Sequence, residues 1–206
     1  MKPVTCIDHP LAADLLTRLR DRATGQAEFR SLCDRISLAL ALEASAALHT
    51  EPRRIETPLE QAEGLAIETA VAVVPILRAG LGMLSSFLQL LPQASVGTIG
   101  LERDEVTARA SAYYCKLPRL AGSFVFLIDP MLATGGSACR ALDLLAGSHA
   151  ARILLVSVLA APEGIDEVHR RHPRVPVITA SIDRELDANR YIRPGLGDFG
   201  DRLFGT

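Results

Sequence analysis

The chain has 206 residues, of which 49% are hydrophobic, and its formal net charge is −2. This length suggests one domain, and the apolar content suffices for a buried core, which excludes intrinsic disorder. The small negative charge argues against a broad basic surface for nucleic acid, and the longest apolar run, residues 153–161, is too short to cross a membrane.

The first part of the chain predicts helices and a hairpin. Residues 11–22 and 26–48 place apolar side chains every three or four positions, which predicts two amphipathic helices. The polar stretch TEPRRIETPLEQAEG, residues 50–64, contains two prolines and predicts a short strand or hairpin away from the main sheet. Residues 1–65 are therefore expected to form a helical and hairpin N-terminal region.

From residue 66 onward, apolar strands alternate with helices. The predicted strands are AVAVVPIL, SVGTIGL, SFVFLI, ARILLVSVLAA and VPVITASI. Uniformly apolar strands predict a mostly parallel sheet with helices on both faces, here over residues 66–180. Ligands of such sheets bind at the carboxyl ends of the strands, so the turns that follow the strands are the candidate sites.

One such turn follows the strand that ends in VPILRAGLGM. Arg78 stands at the carboxyl end of this strand, where a guanidinium can bind a phosphate through two donors; a surface salt bridge is the alternative. The pair Gly80-x-Gly82 lacks the third glycine of a dinucleotide-binding motif, because position 85 is Ser. The motif therefore indicates an anion site only in combination with others.

The segment ERDEVTARASAYY, residues 102–114, is polar, carries alternating charge and shows no clear period. Connections between strands of a compact sheet are usually shorter. A mobile lid, with Arg103 or Arg109 reaching a charged ligand, and a solvated loop are the two interpretations.

The segment FVFLIDPMLATGGSACRAL runs from an apolar strand through Asp129 into a helix that begins near Gly135. The first N–H groups of a helix are unpaired and lie at its positive end, so this turn suits a phosphate, with Thr134 and Ser137 as further donors. No Lys follows the glycines, which excludes a Walker loop. Asp129 would repel a phosphate and suits a polyol or a magnesium ion instead. An ordinary strand–turn–helix with an N-cap is the alternative.

The C-terminal segment YIRPGLGDFGDRLFGT, residues 191–206, contains four glycines, which predict neither a regular helix nor a strand. Its apolar residues nevertheless predict that it packs against the rest of the chain. An ordered glycine-rich loop exposes backbone N–H and C=O groups, which are suited to reading the edge of a planar base.

These segments together resemble the uracil phosphoribosyltransferases of the type I phosphoribosyltransferase fold. The match includes VPILRAGLGM, DPMLATGGS, AAPEGI, TASID and YIRPGLGDFGDRLFGT, and it is weakest over the first 65 residues. The superfamily has two adjacent acids before the Thr-Gly-Gly turn; the second is Pro130 here, as is usual in the uracil branch. The resemblance implies an α/β domain over residues 1–206, with a central mostly parallel sheet, helices on both faces, N-terminal helices, a flexible lid loop and a C-terminal base-binding hood, residues 181–206.

The implied reaction converts uracil and 5-phospho-α-D-ribose 1-diphosphate (PRPP) to UMP and diphosphate in pyrimidine salvage, with Mg²⁺ bound mainly through PRPP. By matching position, Arg78 would bind diphosphate, and Arg103 would close over it. The ribose hydroxyls and 5-phosphate would contact Asp129, Pro130, Met131, Leu132, Ala133, Thr134, Gly135, Gly136 and Ser137. Uracil would contact Ile192, Gly197, Asp198 and Phe199, largely through backbone. Asp198 would also face PRPP, and it is the nearest candidate for a general base.

Several departures from the family pattern leave alternatives open. Phe199 occupies a position that is Ala in many bacterial members, and the lid differs from the usual Arg-x-Glu-Glu-Thr-x-x-Pro. A catalytically silent member that binds nucleotides or PRPP as a regulator, and an enzyme with another base preference, therefore remain alternatives. The resemblance further implies a homodimer or higher homo-oligomer and, as in some members, a GTP effector. It implies no nucleic-acid or membrane partner.

The cysteines bear on the cellular compartment. They are widely spaced and form no Cys-x-x-Cys pair, which fits reduced thiols better than disulfides or a zinc site. The start of the sequence lacks an apolar signal core. Both observations predict a cytoplasmic location.

Overall fold

The computed structural model describes residues 4–103 and 110–206. Its α-helices are α1 (Pro10–Arg20), α2 (Gln26–Ser45), α3 (Leu81–Leu90), α4 (Gly136–Leu145), α5 (Pro162–Arg171) and α6 (Phe199–Phe204), and a 3₁₀ turn spans Ala146–Ser148. Its strands are β1 (Val4–Cys6), β2 (Glu51–Glu56), β3 (Gln61–Ala66), β4 (Val71–Leu77), β5 (Ser95–Val96), β6 (Thr98–Arg103), β7 (Ala110–Lys116), β8 (Phe124–Ile128), β9 (Met131–Leu132), β10 (Arg152–Ala160), β11 (Val177–Ile182), β12 (Glu185–Leu186) and β13 (Ile192–Arg193).

The central sheet has the strand order β1-β11-β10-β8-β4-β6-β7, with β5 beside β4 and β9 beside β10. All of its pairs are parallel except β6 with β7. The predicted mostly parallel sheet is therefore confirmed. The predicted hairpin outside it is also confirmed, because β2 and β3 form a separate antiparallel pair.

Helices cover both faces of the sheet because its strands are apolar on both sides. Along β8, Phe126 and Ile128 belong to one buried cluster, with side chains of α1, α2, α3 and α6. Val125 and Leu127 point the other way and pack with side chains of α4 and α5. This alternation is the period of two that an extended strand imposes on its side chains.

The structure corrects the sequence analysis in the C-terminal segment, where no regular element was predicted. Residues 199–204 form α6, and Ile192 and Arg193 pair with β12. The helix forms because the Asp198 carboxylate accepts the N–H of Asp201 at 2.9 Å and caps its start, while Gly205, at φ 78°, ends it. Most of the glycines thus flank the short helix rather than interrupt it.

Three strands of the central sheet were also not predicted: β1, β7 and the two-residue β9, which pairs with β10. β7 begins in the charged segment interpreted as a lid or solvated loop, extends two residues beyond it and pairs antiparallel with β6. The described side chains of β7 are exposed, so it shows no apolar period. β1 is only three residues long and forms the opposite edge beside β11. In the described ranges, no helix is long and apolar enough to span a membrane.

Arg202 fastens the C-terminal segment to the N-terminal helices. Its guanidinium donates to the carbonyl oxygens of Leu19, of Asp21 at 2.7 Å and of Thr24 at 3.4 Å, at and beyond the end of α1. It also donates to Leu196 O at 2.9 Å, within its own segment. The guanidinium carbon lies 4.4 Å from the centroid of the Phe29 ring. One side chain of α6 therefore contacts both N-terminal helices.

We expect Arg202→Met to lower the free energy of unfolding by about 2–4 kcal/mol, because several carbonyl groups lose a charged donor. For a chain of this size the melting temperature should fall by roughly 5–10 °C, measured by calorimetry. Arg22→Met is the matched control, because Arg22 is exposed and forms no hydrogen bond or ion pair in the part of the chain that the structure describes. An equal effect of both substitutions would contradict the role of Arg202.

Candidate active site

The candidate residues of the two central turns lie at one edge of the sheet. β4 and β8 are parallel neighbours, with Pro75 opposite Ile128. Arg78 and Asp129 follow the carboxyl ends of these two strands, and Arg103 ends β6, the next strand beyond β4. The parallel sheet thus brings together residues that are distant in sequence, as the strand pattern predicts.

The turn after β4 is held close to the neighbouring strand. The Leu77–Arg78 peptide bond is cis. A Cβ atom at Gly80 would lie 2.7 Å from the carbonyl oxygen of Ile128, so only glycine fits there without movement. Arg78 itself is exposed, and its guanidinium carbon lies 5.6 Å from the centroid of the Phe204 ring in α6. The C-terminal helix therefore contacts the candidate diphosphate-binding residue.

The structure describes little of the proposed lid. It gives the backbone of Arg103 as the last residue of β6 and nothing of its side chain. Arg109, the other lid candidate, lies outside the described residues together with the rest of 104–109.

The residues that lead into the Thr-Gly-Gly-Ser turn are held on one side by β10 and by the start of α5. Pro130 O accepts the N–H of Val158 at 3.0 Å, and Leu132 O accepts the N–H of Ala161 at 2.9 Å. A Cβ atom at Gly164 in α5 would collide with the carbonyl oxygen of Ala133. These contacts leave the opposite side of the turn available to a ligand.

The start of α4 has the features of an anion site. Gly135 precedes the helix at φ 77°, in the left-handed region that favours glycine. Gly136 N–H donates weakly to Thr134 Oγ1, at 3.4 Å. The N–H groups of Ser137 and Ala138 have no hydrogen-bond partner within residues 4–103 and 110–206. Unpaired donors at the positive end of a helix suit a phosphate.

Asp129 has few hydrogen-bond donors within the protein. Burial raises the pKa of its carboxyl to about 7, and the hydrogen bond from the Met131 N–H offsets only part of this rise. A carboxyl group that is short of donors can accept hydrogen bonds from a ligand.

A cavity of about 300 Å³ joins the DPMLATGGS turn to the C-terminal segment. It is lined by Met131 and Ala133 on one side and by Ile192, Gly197, Asp198 and Phe199 on the other. The sequence analysis selected both groups of residues. The cavity does not include Arg78, Asp129 or the Thr134–Ser137 turn among its lining residues.

Phe199 contributes backbone rather than side chain to this cavity. Its ring is buried and meets the ring of Phe29 edge-on, with centroids 5.3 Å apart. The Phe199 N–H and the backbone groups of Gly197 form no hydrogen bond to any described residue. The phenylalanine that departs from many bacterial members therefore fills the core beneath the candidate base-binding segment.

Three lining residues were missed by the sequence analysis: Asn189, Arg190 and Tyr191. They form a tight turn around Asp187, whose carboxylate accepts the N–H groups of Asn189 at 2.9 Å and Tyr191 at 3.0 Å. Arg190 has a positive φ of 67° in this turn. The segment Asp-Ala-Asn could have signalled the turn, but nothing in the sequence indicates that it borders the cavity.

The described residues contain no group of three or more His, Cys, Asp or Glu side chains that could hold a metal ion. All four cysteines are free.

Comparisons with known proteins identify relatives over the whole chain. A model of the family described as uracil phosphoribosyltransferase matches residues 6–206. The uracil phosphoribosyltransferase of Thermosipho africanus is 50% identical over 205 residues, which cover 98% of this chain and 99% of the relative. The solved structure of the AQ2163 protein from Aquifex aeolicus is 33% identical, with a TM-score of 0.94 and 98% of each chain covered.

A more distant structure shares the fold alone. The adenine phosphoribosyltransferase of Trypanosoma brucei, solved with AMP, pyrophosphate and ribose-5-phosphate, is 13% identical with a TM-score of 0.61; the match covers 96% of this chain and 89% of that one. The chain therefore has the predicted type I phosphoribosyltransferase fold.

We expect Asp129→Asn to stabilise the ligand-free protein in a pH-dependent way. Because the folded-state pKa of about 7 lies above the ordinary value of 3.8, the folded protein holds the proton more tightly between these values. Asp129 therefore costs increasing stability as the pH rises from about 4 to about 7. The melting temperature of Asp129→Asn should equal that of the wild type near pH 4 and exceed it above pH 7.

Asp166→Asn, on the exposed side of α5, is the control and should show no such divergence. Parallel melting curves for Asp129→Asn and the wild type across this range would contradict a pKa of about 7 for the Asp129 carboxyl.

Proposed function

The chain belongs to the uracil phosphoribosyltransferase family, and we propose that it transfers the phosphoribosyl group of PRPP to N1 of uracil, which gives UMP and diphosphate. The observation that carries this proposal is the cavity between the DPMLATGGS turn and the glycine-rich C-terminal segment. Met131 and Ala133, which immediately precede the Thr134–Ser137 turn, line one side of it, and Gly197 and Phe199, with their unpaired backbone groups, line the other.

The donor would bind along the carboxyl edge of the sheet. The unpaired N–H groups at the start of α4 suit the 5-phosphate, with the Thr134 and Ser137 hydroxyls beside them. The Asp129 carboxylate would accept the ribose hydroxyls. Arg78 is exposed at the same edge and would bind diphosphate, with Arg103 closing over it.

The base would be read by backbone. Uracil presents an acceptor, a donor and an acceptor along O4, N3–H and O2. The unpaired groups of Gly197 and Phe199 include the complementary donors and acceptor. Cytosine reverses the groups at positions 4 and 3, and each buried mismatch costs about 1–3 kcal/mol.

Phosphoribosyl transfer at the anomeric carbon passes through an oxocarbenium-like state, by analogy with glycosyl transfer. The chain's own contribution would then be positioning of the two substrates and stabilisation of departing diphosphate by Arg78 and Arg103. Magnesium bound mainly through PRPP would add positive charge at the diphosphate. Asp198 is the candidate base for uracil N1. One of its oxygens accepts the N–H of Asp201, and the other has no partner in the described chain.

Self-association is a further part of the proposal. The hairpin of β2 and β3 exposes apolar side chains that a monomer would leave in water: Leu59 is 95% exposed and Leu65 is 73% exposed. We propose that a second copy of the chain covers them. The GTP effector and the cytoplasmic location stay predictions of the sequence analysis.

The direct test of function follows UMP from uracil, PRPP and Mg²⁺ by chromatography. We expect Arg78→Ala to lower kcat and Asp129→Asn to lose most activity, at least a hundredfold, because each removes charge or hydrogen bonding at the reacting group. Arg119→Ala and Asp166→Asn change exposed residues outside the site and should retain wild-type rates.

The outcomes separate the alternatives. PRPP binding without any UMP would favour the silent regulator over the enzyme. Product from cytosine or a purine, with none from uracil, would favour a different base preference. Wild-type rates in Arg78→Ala or Asp129→Asn would show that the donor site is assigned wrongly.

The association proposal is tested by the molar mass in solution. Light scattering should give at least twice the mass of one chain, 22.1 kDa. Leu59→Ser with Leu65→Ser should shift the mass toward one chain at micromolar concentration. A monomeric wild type would refute the proposal.

A further inference from the structure

A cluster of charged and polar groups lies behind the base-binding segment and has no part in the function described so far. Arg20 at the end of α1 donates to Asp183, which follows β11, through two bonds of 2.6 and 2.5 Å. Ser181 Oγ donates to the same carboxylate at 2.9 Å, and the Gly195 N–H does so at 2.9 Å. Arg20 also donates to the Gly195 carbonyl oxygen at 2.8 Å.

The Asp183 carboxylate is buried, and its two oxygens accept four hydrogen bonds from the chain. The Asp183 side chain is 2% exposed and that of Arg20 is 23% exposed. Burial alone would raise the pKa of Asp183, but the hydrogen bonds from Arg20, Gly195 and Ser181 outweigh it and hold the pKa below its ordinary value. A buried ion pair is often no more stabilising than well-packed apolar residues of the same volume. Global stability therefore does not by itself explain its presence.

Gly195 is the residue whose geometry the cluster determines. Its N–H is bound to Asp183 and its C=O to Arg20, so both polar groups of one residue are fixed. Gly195 has φ 64°, and a Cβ atom there would collide with the carbonyl oxygen of Ile192. Ile192 lies on one side of Gly195 in the sequence and Gly197 on the other, and both line the cavity.

Two other contacts support the residues that follow Gly195 in the segment. Leu196 O accepts from Arg202, and Asp198 caps α6 through the N–H of Asp201. Neither contact involves Arg20 or Asp183. A disturbance at Gly195 should therefore act mainly on the adjoining Ile192–Gly197 backbone and leave Asp198 and the DPMLATGGS turn in place.

We propose that Arg20 and Asp183 are positioning residues for base recognition: together they fix the backbone of Gly195 and thereby the direction of the Ile192–Phe199 segment that reads uracil. The kinetic part of this inference rests on the proposed function. The structural part, the fixing of Gly195, does not.

The variants are chosen to separate positioning from stability. Arg20→Lys keeps the positive charge but cannot contact both Asp183 and Gly195 O with the same geometry. Asp183→Asn keeps the shape and removes the charge. Arg20→Met with Asp183→Leu replaces the ion pair by apolar side chains and should fold even where a single variant leaves one charge unpaired. Arg18→Gln is the matched control, because Arg18 lies on the same helix in an exposed pair with Glu28.

Two measurements are made on each full-length variant. Steady-state kinetics give KM for uracil and KM for PRPP separately. Amide hydrogen exchange, followed by NMR in the ligand-free protein, reports the Gly195 N–H against the amides of β10. The melting temperature is recorded alongside, so that any change can be compared with global stability.

We expect the KM for uracil to rise tenfold or more in the three cluster variants, with the KM for PRPP within twofold of the wild type. Exchange at Gly195 should accelerate at least tenfold in Asp183→Asn and in the double variant, while β10 stays protected. Arg18→Gln should change neither quantity. A raised KM for uracil at an unchanged melting temperature is the result that a merely structural role would not give.

The inference is overturned if the KM for uracil stays within twofold of the wild type in the double variant. It is also overturned if both KM values rise in parallel with the loss of melting temperature. A wild type that makes no UMP would refute the proposed function instead, and the exchange of Gly195 would then decide the positioning claim alone. Unchanged protection of Gly195 in Asp183→Asn and in the double variant would refute that claim.

Discussion

The C-terminal segment, the candidate base-binding side of this protein, depends on a reciprocal pair of arginine contacts between the two ends of the chain. Arg20, in the first helix, donates to the carbonyl of Gly195, and Arg202, in the last helix, donates to the carbonyl of Leu19. Ordering the C-terminal segment costs conformational entropy that its few apolar side chains offset only in part. Charge-assisted bonds to backbone are stronger than neutral ones and fix direction as well as distance. These contacts therefore hold the C-terminal segment against the N-terminal helices without any ligand.

The candidate PRPP-binding side is built in a different way, from strands and the turns that follow them. Arg78 and Asp129 each come directly after a buried parallel strand, and the sheet alone brings them to one edge. Glycines allow the close packing that this requires, since a side chain at Gly80 or Gly164 would meet backbone oxygen. The C-terminal helix connects the two sides, because Phe204 contacts Arg78 while Phe199 packs on Phe29.

This difference explains what could be predicted from the sequence. The strands of the core and the turn at Asp129 follow from local patterns, because apolar runs, glycines and hydroxyl residues stand next to one another in the chain. α6 was missed because its caps, Asp198 and Gly205, stand in a segment whose glycine content indicates irregular structure. The contact of Arg20 with Asp183 joins residues 163 positions apart. Asp183 ends the motif TASID, but nothing in that motif or around Arg20 indicates that the two are partners. Long-range polar pairs of this kind leave no periodic signal, whereas buried apolar elements do.

Asp183 and Asp129 are two carboxylates at strand ends of the same sheet, and their surroundings suit different roles. The first holds the chain's own backbone, and the second is available to a ligand. Asp183 receives two bonds from Arg20 and one each from Ser181 and Gly195, and its pKa lies below the ordinary value. Asp129 has the Met131 N–H as a donor, and burial raises its pKa to about 7. Both groups lose water on folding, so the opposite directions arise from the number of donors that the chain supplies. A carboxylate whose oxygens are all hydrogen-bonded within the chain, as in Asp183, holds backbone groups such as the Gly195 N–H in place. One that is left short of donors, as Asp129 is, retains hydrogen-bonding capacity that ribose hydroxyls would satisfy, at a cost in the stability of the ligand-free protein.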